Sequence, residues 1–572
     1  MSDFNLIDEG WISVVTDYKG TTRLVGLKEF FENAHNYIGL AGDMTTQDFA
    51  LMRFLLAILH TVFSRYDAKG EPYEVVELDQ RMRQVEEVDD EDAEEYEDAL
   101  LETWQDLWKA GKFPQIVCDY LEAWRDRFYL FDDQYPFYQI TKSFMTEADL
   151  YNQYGETEKT STISYKTINR RISETKGKTA IFSPFIADNG EIKGDLTNAQ
   201  LARWLINYMG YTTTPDKTKI QRYQDIINIK RYDGHKGWLY AIGGIHFNCN
   251  NLYKTLLLNL MLIHPENKFK NQMQTPAWEF TPDENIKFYL KDSKINNLAR
   301  LYTDYDRCIF ISDKNVDEWG KYLNIIQLPI LDKSQNLLEN MTIWEKNKDK
   351  NWYPRQNKKY ESLWRNFGTL FLERNDESDE IRNPGIINWF RKISKTIGEE
   401  DIKLVALGFQ GDTSSSNLMV SEMYDSLDIN LGVSRDVSEN GWVPRIDDTV
   451  QKTKLFIDKE YRKYIEDVIR LEKGIEKPKK ESLDQYIEDV YFKIDAPFRQ
   501  WLNSINVYDN KDEKISEWEK NFINIILKES KQLIKSIGKK AYEGIEYGNK
   551  NKKTYVNIAL AYNKLVTDCK KF

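Results

Sequence analysis

The segment LGFQGDTSSSN at residues 407–417 places a glycine, an aspartate and several small hydroxyl residues directly after an apolar run. Three functions are compatible with this composition: a loop that binds phosphate, a nucleophilic serine, and a turn that presents polar side chains to a partner. A P-loop would end in a lysine, which this segment lacks, and the GxSxG pattern of a serine nucleophile is not present either. The composition therefore favours a turn, whose partner has to be inferred from the rest of the chain.

Residues that usually carry catalysis or bind metals are scattered along the sequence. The four cysteines lie far apart and form no CxxC pair, and the five histidines are isolated, without an HEXXH motif. The sequence therefore predicts no cofactor, no metal site and no catalytic residue. A hydrolase whose active site is assembled from distant residues stays open as an alternative, because such sites are defined by geometry rather than by spacing.

Length and charge limit the remaining classes of function. With 572 residues, 41% of them hydrophobic, the chain is long enough for two or three domains. Its formal net charge of −13 argues against coating of nucleic acid by the whole surface, and positive charge is concentrated in loop-like segments between residues 160 and 250. The first residues lack signal-peptide character and no run approaches the roughly 18 apolar residues of a membrane span, so a cytoplasmic protein without membrane contact is predicted.

Hydrophobic periodicity predicts an α+β fold in two parts. The first, residues 1–439, is a large, loop-rich mixture of strands and helices, and one helix is expected to begin with a capping box of Thr45 and Asp48. An acid-rich stretch at 85–102 is either a solvated surface or a functional acidic patch. The second part, residues 440–572, is predicted to be a C-terminal four-helix bundle, with helical patterns at 447–472, 484–506, 515–537 and 556–565.

Seven short motifs carry a resemblance to a known family. They are LIDEGWISV at 6–14, YPFYQ at 135–139, KGWLYAIGGIHFNCNNLYKTLLLNL at 236–260, TPAWEF at 275–280, MTIW at 341–344, LWRNFG at 363–368 and FRQ at 498–500. Their order, together with the mixed domain and the helical C-terminal part, resembles the CasA family, the large subunit of the type I-E CRISPR surveillance complex Cascade. The resemblance extends over nearly the whole chain.

The resemblance implies a non-catalytic role in a crRNA-guided assembly, in which RNA–DNA pairing reads the target sequence. The implied partners are crRNA, the backbone and small Cascade subunits, target double-stranded DNA and an effector helicase-nuclease. The implied task is to recognise the protospacer-adjacent motif in the duplex, to promote strand separation and R-loop formation, and to dock the helicase-nuclease. The bundle from 440 onward is expected to contact the small subunits and the displaced DNA strand.

The family reads the flanking motif with a glycine-rich loop, and MGYTTTPDKTK at 209–219, here called the recognition loop, falls where that loop belongs. The resemblance implies minor-groove contacts by Gly210, Tyr211, Thr212 and Thr213, and phosphate contacts by Lys217 and Lys219. Gly210 is equally compatible with a glycine that only ends the preceding helix.

Two further segments resemble family elements that contact nucleic acid. Lys333 in ILDKSQN lies where the family has a lysine finger, although a lysine in a polar loop is often simply solvated. The segment TAIFSP at 179–184 resembles the part that reaches the crRNA and neighbouring subunits, with Phe182 and Ser183 as contact residues. Its apolar content is equally compatible with a core strand.

The segment at 407–417 falls where the family has a wedge, a hairpin that inserts into the duplex. The resemblance places Gln410, Gly411, Asp412, Thr413 and Ser414 against the first base pair, with Gly411 permitting a tight turn. An ordinary surface turn is the alternative for this segment. For the whole chain, the alternatives are a metal-dependent nuclease or hydrolase with an unrecognised active site, and a protein-only scaffold.

Overall fold

The computed structural model of the protein describes residues 4–147, 150–151, 161–170, 194–212, 219–220, 236–291, 293–312, 314, 316–317, 320–329, 337–357, 361–373, 380–398, 400–411, 419–549 and 552–572. The strands are β1 (Ile12–Val15), β2 (Thr22–Val25), β3 (Gly39–Leu40), β4 (Leu150–Tyr151), β5 (Ser161–Ser164), β6 (Lys219–Ile220), β7 (Gly244–Asn248), β8 (Arg307–Phe310), β9 (Val316–Asp317), β10 (Gly320–Gln327), β11 (Trp344–Lys346), β12 (Trp352–Pro354), β13 (Ile381–Arg382), β14 (Ile402–Gly411), β15 (Met419–Ile429), β16 (Ile545–Asn549) and β17 (Lys552–Val556).

The helices alternate with these strands in the first three quarters of the chain and dominate the last quarter. They are α1 (Leu27–Asn33), α2 (Thr45–Phe63), α3 (Ala93–Ala110), α4 (Ile116–Ala123), α5 (Lys142–Glu147), α6 (Tyr165–Ile168), α7 (Asn198–Tyr211), α8 (Trp238–Ala241), α9 (Leu252–Asn259), α10 (Pro282–Leu290), α11 (Leu298–Tyr302), α12 (Phe367–Phe371), α13 (Gly385–Ile393), α14 (Leu431–Arg435), α15 (Trp442–Phe456), α16 (Arg462–Lys473), α17 (Lys480–Asn503), α18 (Lys511–Ser536), α19 (Lys540–Glu543) and α20 (Ile558–Cys569).

The chain divides into two compact units. The first, here called unit 1, consists of Met1–Lys359 and Asp376–Ser426, and unit 2 consists of Tyr360–Asn375 and Leu427–Phe572. This division differs from the predicted boundary at residue 440, because unit 2 begins at Leu427 and also includes a distant segment.

Trp364 explains why that distant segment belongs to unit 2. Its fully buried ring stacks on Phe498 of α17 with a centroid distance of 4.1 Å, and its indole N–H donates to Asp495 Oδ1 at 2.8 Å. The packing of a large aromatic side chain against a helix far away in sequence leaves no local pattern by which the sequence could reveal it.

Helix α2 lies at the centre of unit 1. All its side chains from Phe49 to Phe63 are buried, and it packs against α7 and α11. Among the described residues it is the helix long and apolar enough to cross a membrane, but 94% of its apolar window is buried inside the protein, as is typical of a core helix. The predicted capping box is wrong: the N-cap residue is Met44, and Asp48 Oδ1 accepts from the Gly42 N–H at 2.8 Å instead.

Two sheets of unit 1 position the predicted DNA-contacting segments. In one, β10 pairs antiparallel with β5, β8 and β9 and parallel with β6, which in turn pairs with β4. In the other, the strand order is β15-β14-β7, with β14 in the middle. Residues 404–409 of β14 are all buried, so this strand reads as an apolar run rather than as an alternating pattern.

Unit 2 contains four long helical segments, as the periodicity predicts. They are α15 continued through a π turn at Ile457–Tyr461 into α16, followed by α17, α18 and α20. Helix α16 packs against α17 and α20, and α18 packs against α15, α17 and α20. The hairpin of β16 and β17 was not predicted; it precedes α20, and Val556, expected in the last helix, ends β17.

Candidate nucleic-acid interface

The predicted wedge lies at the end of a hairpin formed by β14 and β15, here called the wedge hairpin. Strand β14 pairs with β7 from Lys403↔Asn248 to Leu407↔Gly244 and then continues to Gly411 with β15 as its remaining neighbour. Four residues beyond Leu407 extend the strand by about 13 Å. The connecting residues 412–418 fall outside the described residues, and with them Asp412, Thr413 and Ser414; Gln410 and Gly411 end β14.

An aromatic cluster forms the base of this hairpin. The Phe409 ring, 6% exposed, lies edge-on to Tyr211 with a centroid distance of 4.6 Å and 6.2 Å from the ring of Tyr240. The guanidinium of Arg170 lies 5.5 Å from the Phe409 centroid and donates to the Tyr211 carbonyl at 3.4 Å. Burial lowers the pKa of Arg170, although nearby tyrosines and Glu422 favour its charged form. This cation therefore contacts both the end of α7 and β14.

The recognition loop begins at this same cluster. Gly210 and Tyr211 form the last turn of α7, and Thr212 follows as its C-cap. Tyr211 and Thr212 are 1% and 0% exposed, so both side chains are buried here, and the minor-groove contact expected of them stays a prediction. A Cβ on Gly210 would lie 2.5 Å from Leu239 Cδ1, which shows that the glycine allows α7 to pack closely against α8.

The described residues on either side of the recognition loop and the stretch after it lie next to each other. The Gly237 N–H donates to the Thr212 carbonyl at 2.9 Å, so residues 213–236 begin and end next to each other. Thr213 and Lys217 fall outside the described residues. Lys219 belongs to β6, where its backbone pairs with Gln327 of β10 and Tyr151 of β4.

Described residues also lie on either side of the candidate lysine finger in the sequence. Lys333 is outside the described residues, but β10 ends at Gln327 before it and Glu339 follows it. The carboxylate of Glu339 accepts two hydrogen bonds from Arg53, at 2.8 and 2.7 Å, and one from the Trp238 indole at 2.8 Å. Burial alone would raise the pKa of Glu339, but Arg53 and these hydrogen bonds outweigh it and lower the pKa.

Trp238 connects these regions. It directly follows Gly237, which binds the Thr212 carbonyl of the recognition loop. Its indole N–H donates to Glu339, which lies six residues after Lys333 in the sequence. Arg53, Gly210 and Trp238 line one cavity of about 30 Å³. The described ends of the recognition loop, the finger segment and the wedge hairpin are therefore all held in one region of unit 1.

Metal-binding or nucleophilic groups do not assemble in the part of the chain that the structure describes. No group of three or more histidine, cysteine or acidic side chains there could hold a metal ion, and all four cysteines are free and buried. Burial lowers the pKa of His60 to about 3 and the pKa values of His246 and His264 to about 4. His60 and His264 are core residues, and His246 is half-buried on β7.

Comparison with known proteins decides the family. The model of the CRISPR-associated protein Cse1 family (CRISPR_cse1) matches residues 5–528, which is most of the chain. The chain belongs to the Cse1 family. The resemblance to the CasA family, the large subunit of type I-E Cascade, is thereby confirmed, and so is the α+β fold with a helical C-terminal part.

Individual relatives agree with this assignment. The CRISPR-associated protein CasA/Cse1 of Thermus thermophilus is 31% identical over 141 residues, covering 24% of this chain and 21% of that relative. The aligned stretch thus spans about a fifth of that relative's length. The crystal structure of Thermobifida fusca Cse1 has a TM-score of 0.72 at 22% identity, covering 99% of this chain and 98% of that one. A chain of a CRISPR RNA-guided surveillance complex has a TM-score of 0.65 at 14% identity, with 99% of each covered. These two likenesses show the fold.

Some residues of the interface were not predicted from the sequence. Phe409 and Arg170 form its base, Asn357 contacts β14 from another element, and Glu422 of β15 accepts a hydrogen bond from Thr46 of α2. The only sequence signal was the position of Phe409 within the quoted segment. Phe182 and Ser183 fall outside the described residues.

Proposed function

We propose that this Cse1-family protein is the large subunit of a crRNA-guided surveillance complex. In this role it recognises the protospacer-adjacent motif in target duplex DNA, promotes strand separation and R-loop formation, and docks an effector helicase-nuclease. Its partners are crRNA, the backbone and small subunits, and the target DNA. Membership of the Cse1 family and the likeness of the fold to a chain of a CRISPR RNA-guided surveillance complex support the proposal.

The contact between Phe409 and Tyr211 is the observation that carries the proposal. It joins the base of the wedge hairpin to the last residue of α7, where the recognition loop begins. A protein that reads a flanking motif and opens the adjacent base pair needs its reading and opening segments at a fixed short separation, because the two DNA sites are neighbours. Two segments that leave the core at one aromatic contact meet this requirement.

The wedge hairpin would act sterically. Strand β14 lies between β7 and β15 and is buried along 404–409, which makes its base resistant to bending. The tip, Gln410 to Ser414, would occupy the space of the first base pair. Unstacking and unpairing one step costs a few kcal/mol, and RNA–DNA pairing then replaces the DNA pairs that were lost.

Phosphate contacts would come from the lysines of the recognition loop and the finger. Lys217 and Lys219 are proposed to contact the duplex beside Thr213, and Lys333 to approach it from the end of β10. Each lysine that neutralises a phosphate contributes about 0.9 to the slope of binding affinity against salt concentration, on logarithmic scales. Neutralising Lys217 and Lys219 should therefore weaken binding and reduce this slope; unchanged salt dependence would favour a protein-only scaffold.

In unit 2, helix α18 offers a surface for the displaced strand. Four exposed lysines lie within about 80° of one another around the helix axis. They are Lys520, Lys528, Lys531 and Lys535. We propose that this lysine face binds the sugar–phosphate backbone of the displaced strand, while other faces of unit 2 contact the small subunits. Changing all four to glutamine should lower affinity for the opened target, with little effect on motif recognition in intact duplex.

We also propose that the protein is not itself a nuclease. Purified chain incubated with Mg²⁺ or Mn²⁺ and with duplex or single-stranded DNA should leave both intact. Robust cleavage that disappears with chelator would instead support a metal-dependent nuclease with an unrecognised active site.

Shortening the tip tests the wedge directly. Asp412-Thr413-Ser414 would be replaced by a shorter glycine turn in the complex assembled with crRNA and partner subunits. Opening of intact duplex should slow by about ten-fold or more, since each 1.4 kcal/mol of barrier is a factor of ten. Affinity for a target already melted beside the flanking motif should change little. Equal losses on both substrates would show that the tip is a general DNA contact or supports the fold.

A further inference from the structure

We propose that Asn357 and Glu422 are positioning residues that set the direction in which the wedge hairpin leaves unit 1. Asn357 binds β14 from outside the hairpin, whereas Glu422 lies on β15 itself and ties that strand to Thr46 in the first turn of α2. Neither residue belongs to the segments expected to touch DNA. The inference rests on the proposed strand-separating function of the hairpin. It adds two side chains through which that function depends on the surrounding fold.

Asn357 binds the end of the ladder between β7 and β14. The last registered pair of that ladder is Leu407 with Gly244. The side-chain amide of Asn357 donates to the Leu407 carbonyl at 2.9 Å and to the Gly244 carbonyl at 3.5 Å. Because an amide NH₂ carries two hydrogens, one side chain can serve both acceptors. Asn357 thus supports β14 at the residue where its pairing with β7 stops.

The backbone around Asn357 is fixed closely against the same strand end. The Gly243 N–H donates to the Arg355 carbonyl at 3.0 Å, and a Cβ on Gly243 would lie 2.6 Å from the backbone nitrogen of Asn357. Gln356, between them, donates from its side chain to the Tyr240 carbonyl at 3.0 Å. The amide of Asn357 is therefore presented by a segment that has little freedom to shift.

Glu422 holds the second strand of the hairpin. Its Oε1 accepts from the Thr46 N–H at 2.7 Å and from the Thr46 hydroxyl. Thr46 lies in the first turn of α2, where the backbone N–H groups lack partners within the helix and attract negative charge. A carboxylate on β15 therefore satisfies a donor at the start of the central core helix.

The two contacts act where small rotations have large effects. Beyond Leu407, β14 continues for about 13 Å, and a tilt of about 15° at that residue would displace its end by about 3 Å. A displacement of that size is comparable to the separation of stacked base pairs. Supports on both strands at the base are thus expected to matter more for where the tip lies than for whether unit 1 folds.

The test uses Asn357→Leu, which is similar in size but has no donors, and Glu422→Gln, which keeps the shape but removes the charge. Gln139→Leu is the matched control, because it also removes a buried side-chain amide of unit 1 that donates to two carbonyls, those of Leu130 and Phe137, which do not belong to the wedge hairpin. Each is assembled into the complex, with and without the shortened tip. The measured quantities are the rate of opening of intact duplex, the affinity for pre-melted target, and the melting temperature.

The proposal predicts that both variants slow opening of intact duplex by about five-fold or more. Their affinity for pre-melted target, and the opening rate of Gln139→Leu, should stay within about two-fold of the unchanged complex. In the shortened-tip background neither variant should slow opening further, because there is no tip left to position. Equal slowing in both backgrounds would overturn the proposal, since it would show a general effect on the fold. Normal opening in both variants would overturn it as well. If shortening the tip has no effect, the wedge function itself fails and this inference falls with it.

Discussion

Replacement of Phe409 by leucine should uncouple the base of the wedge hairpin from the recognition loop while keeping an apolar side chain in the site. The phenylalanine ring meets Tyr211 edge-on at 4.6 Å and lies 5.5 Å from the Arg170 guanidinium. Leucine retains an apolar side chain at this buried position but offers neither an aromatic edge nor a ring face. The substitution therefore removes the directional contacts selectively.

The expected loss follows from the two contacts. An edge-to-face aromatic pair contributes about 0.5–1.5 kcal/mol beyond the area that it buries, and a cation–π contact about 0.5–2 kcal/mol. Their sum, about 1–3.5 kcal/mol, is small for a unit of this size and should lower the melting temperature by only a few degrees. If half of this energy fixes the hairpin relative to the recognition loop, duplex opening should slow by about two- to twenty-fold.

Phe113→Leu supplies the control. Phe113 is also buried in unit 1, and its ring lies 4.6 Å from that of Tyr253 in a similar edge-on arrangement. Both variants would be assembled with crRNA and partner subunits, and opening of intact duplex would be followed with a fluorescent base beside the flanking motif. Similar melting temperatures with slow opening only for Phe409→Leu would support the reasoning. Equal opening rates for the two variants would refute it, because the contact with Tyr211 would then have no special role.

Three further predictions concern individual charges and unit 2. Burial, followed by nearby carboxylates, raises the pKa of Asp48 from 3.8 to about 7, so the folded protein binds this proton more tightly than the unfolded chain does. The stability of the protein should therefore fall as pH rises from about 4 to 7. In Asp48→Asn the melting temperature should fall less over this range, and identical pH profiles for the two proteins would contradict the prediction. Glu339→Gln should destabilise unit 1 by about 3–5 kcal/mol in chemical denaturation, because it leaves the buried Arg53 guanidinium without its counter-charge, and a loss under about 1 kcal/mol would contradict this. Residues 427–572 expressed alone should give a soluble domain with helical circular dichroism, and a disordered product would contradict the assignment of these residues to one unit. A peptide of residues 361–373 added to this domain should raise its melting temperature. A peptide without effect would contradict the assignment of residues 361–373 to unit 2.

The helical part of the fold was predictable because its signal is local. The buried stripe of α18, which includes Trp518, Phe522 and Ile526, repeats every four residues and can be read directly from the sequence. The hairpin at Ile545–Val556 was missed because its two short strands are surrounded by helical patterns. The division into units differs from the predicted boundary at residue 440 because Trp364 packs against α17. Its hydrogen-bond partner on that helix, Asp495, lies 131 residues later in the sequence.

The candidate site was predictable only as a set of segments. The turn follows from an apolar run that ends in glycine and small polar residues, whereas its place in a hairpin was implied by the family resemblance. The burial of Tyr211 could not be foreseen, because it depends on a ring of β14 nearly two hundred residues later in the chain. The same holds for Glu422, which reaches the first turn of α2 across a separation of 376 residues. Contacts of this kind are set by tertiary packing and leave no periodic trace in the sequence.

The tip of the wedge hairpin is proposed to lie against the first base pair beside the flanking motif. A photo-crosslinking amino acid placed at position 413 in the assembled complex, bound to target duplex, would report this contact. We expect crosslinks to the bases of that first pair, dependent on a correct flanking motif and on crRNA. Crosslinks only to protein, or crosslinks to DNA that are equally strong and equally placed without the motif, would contradict it.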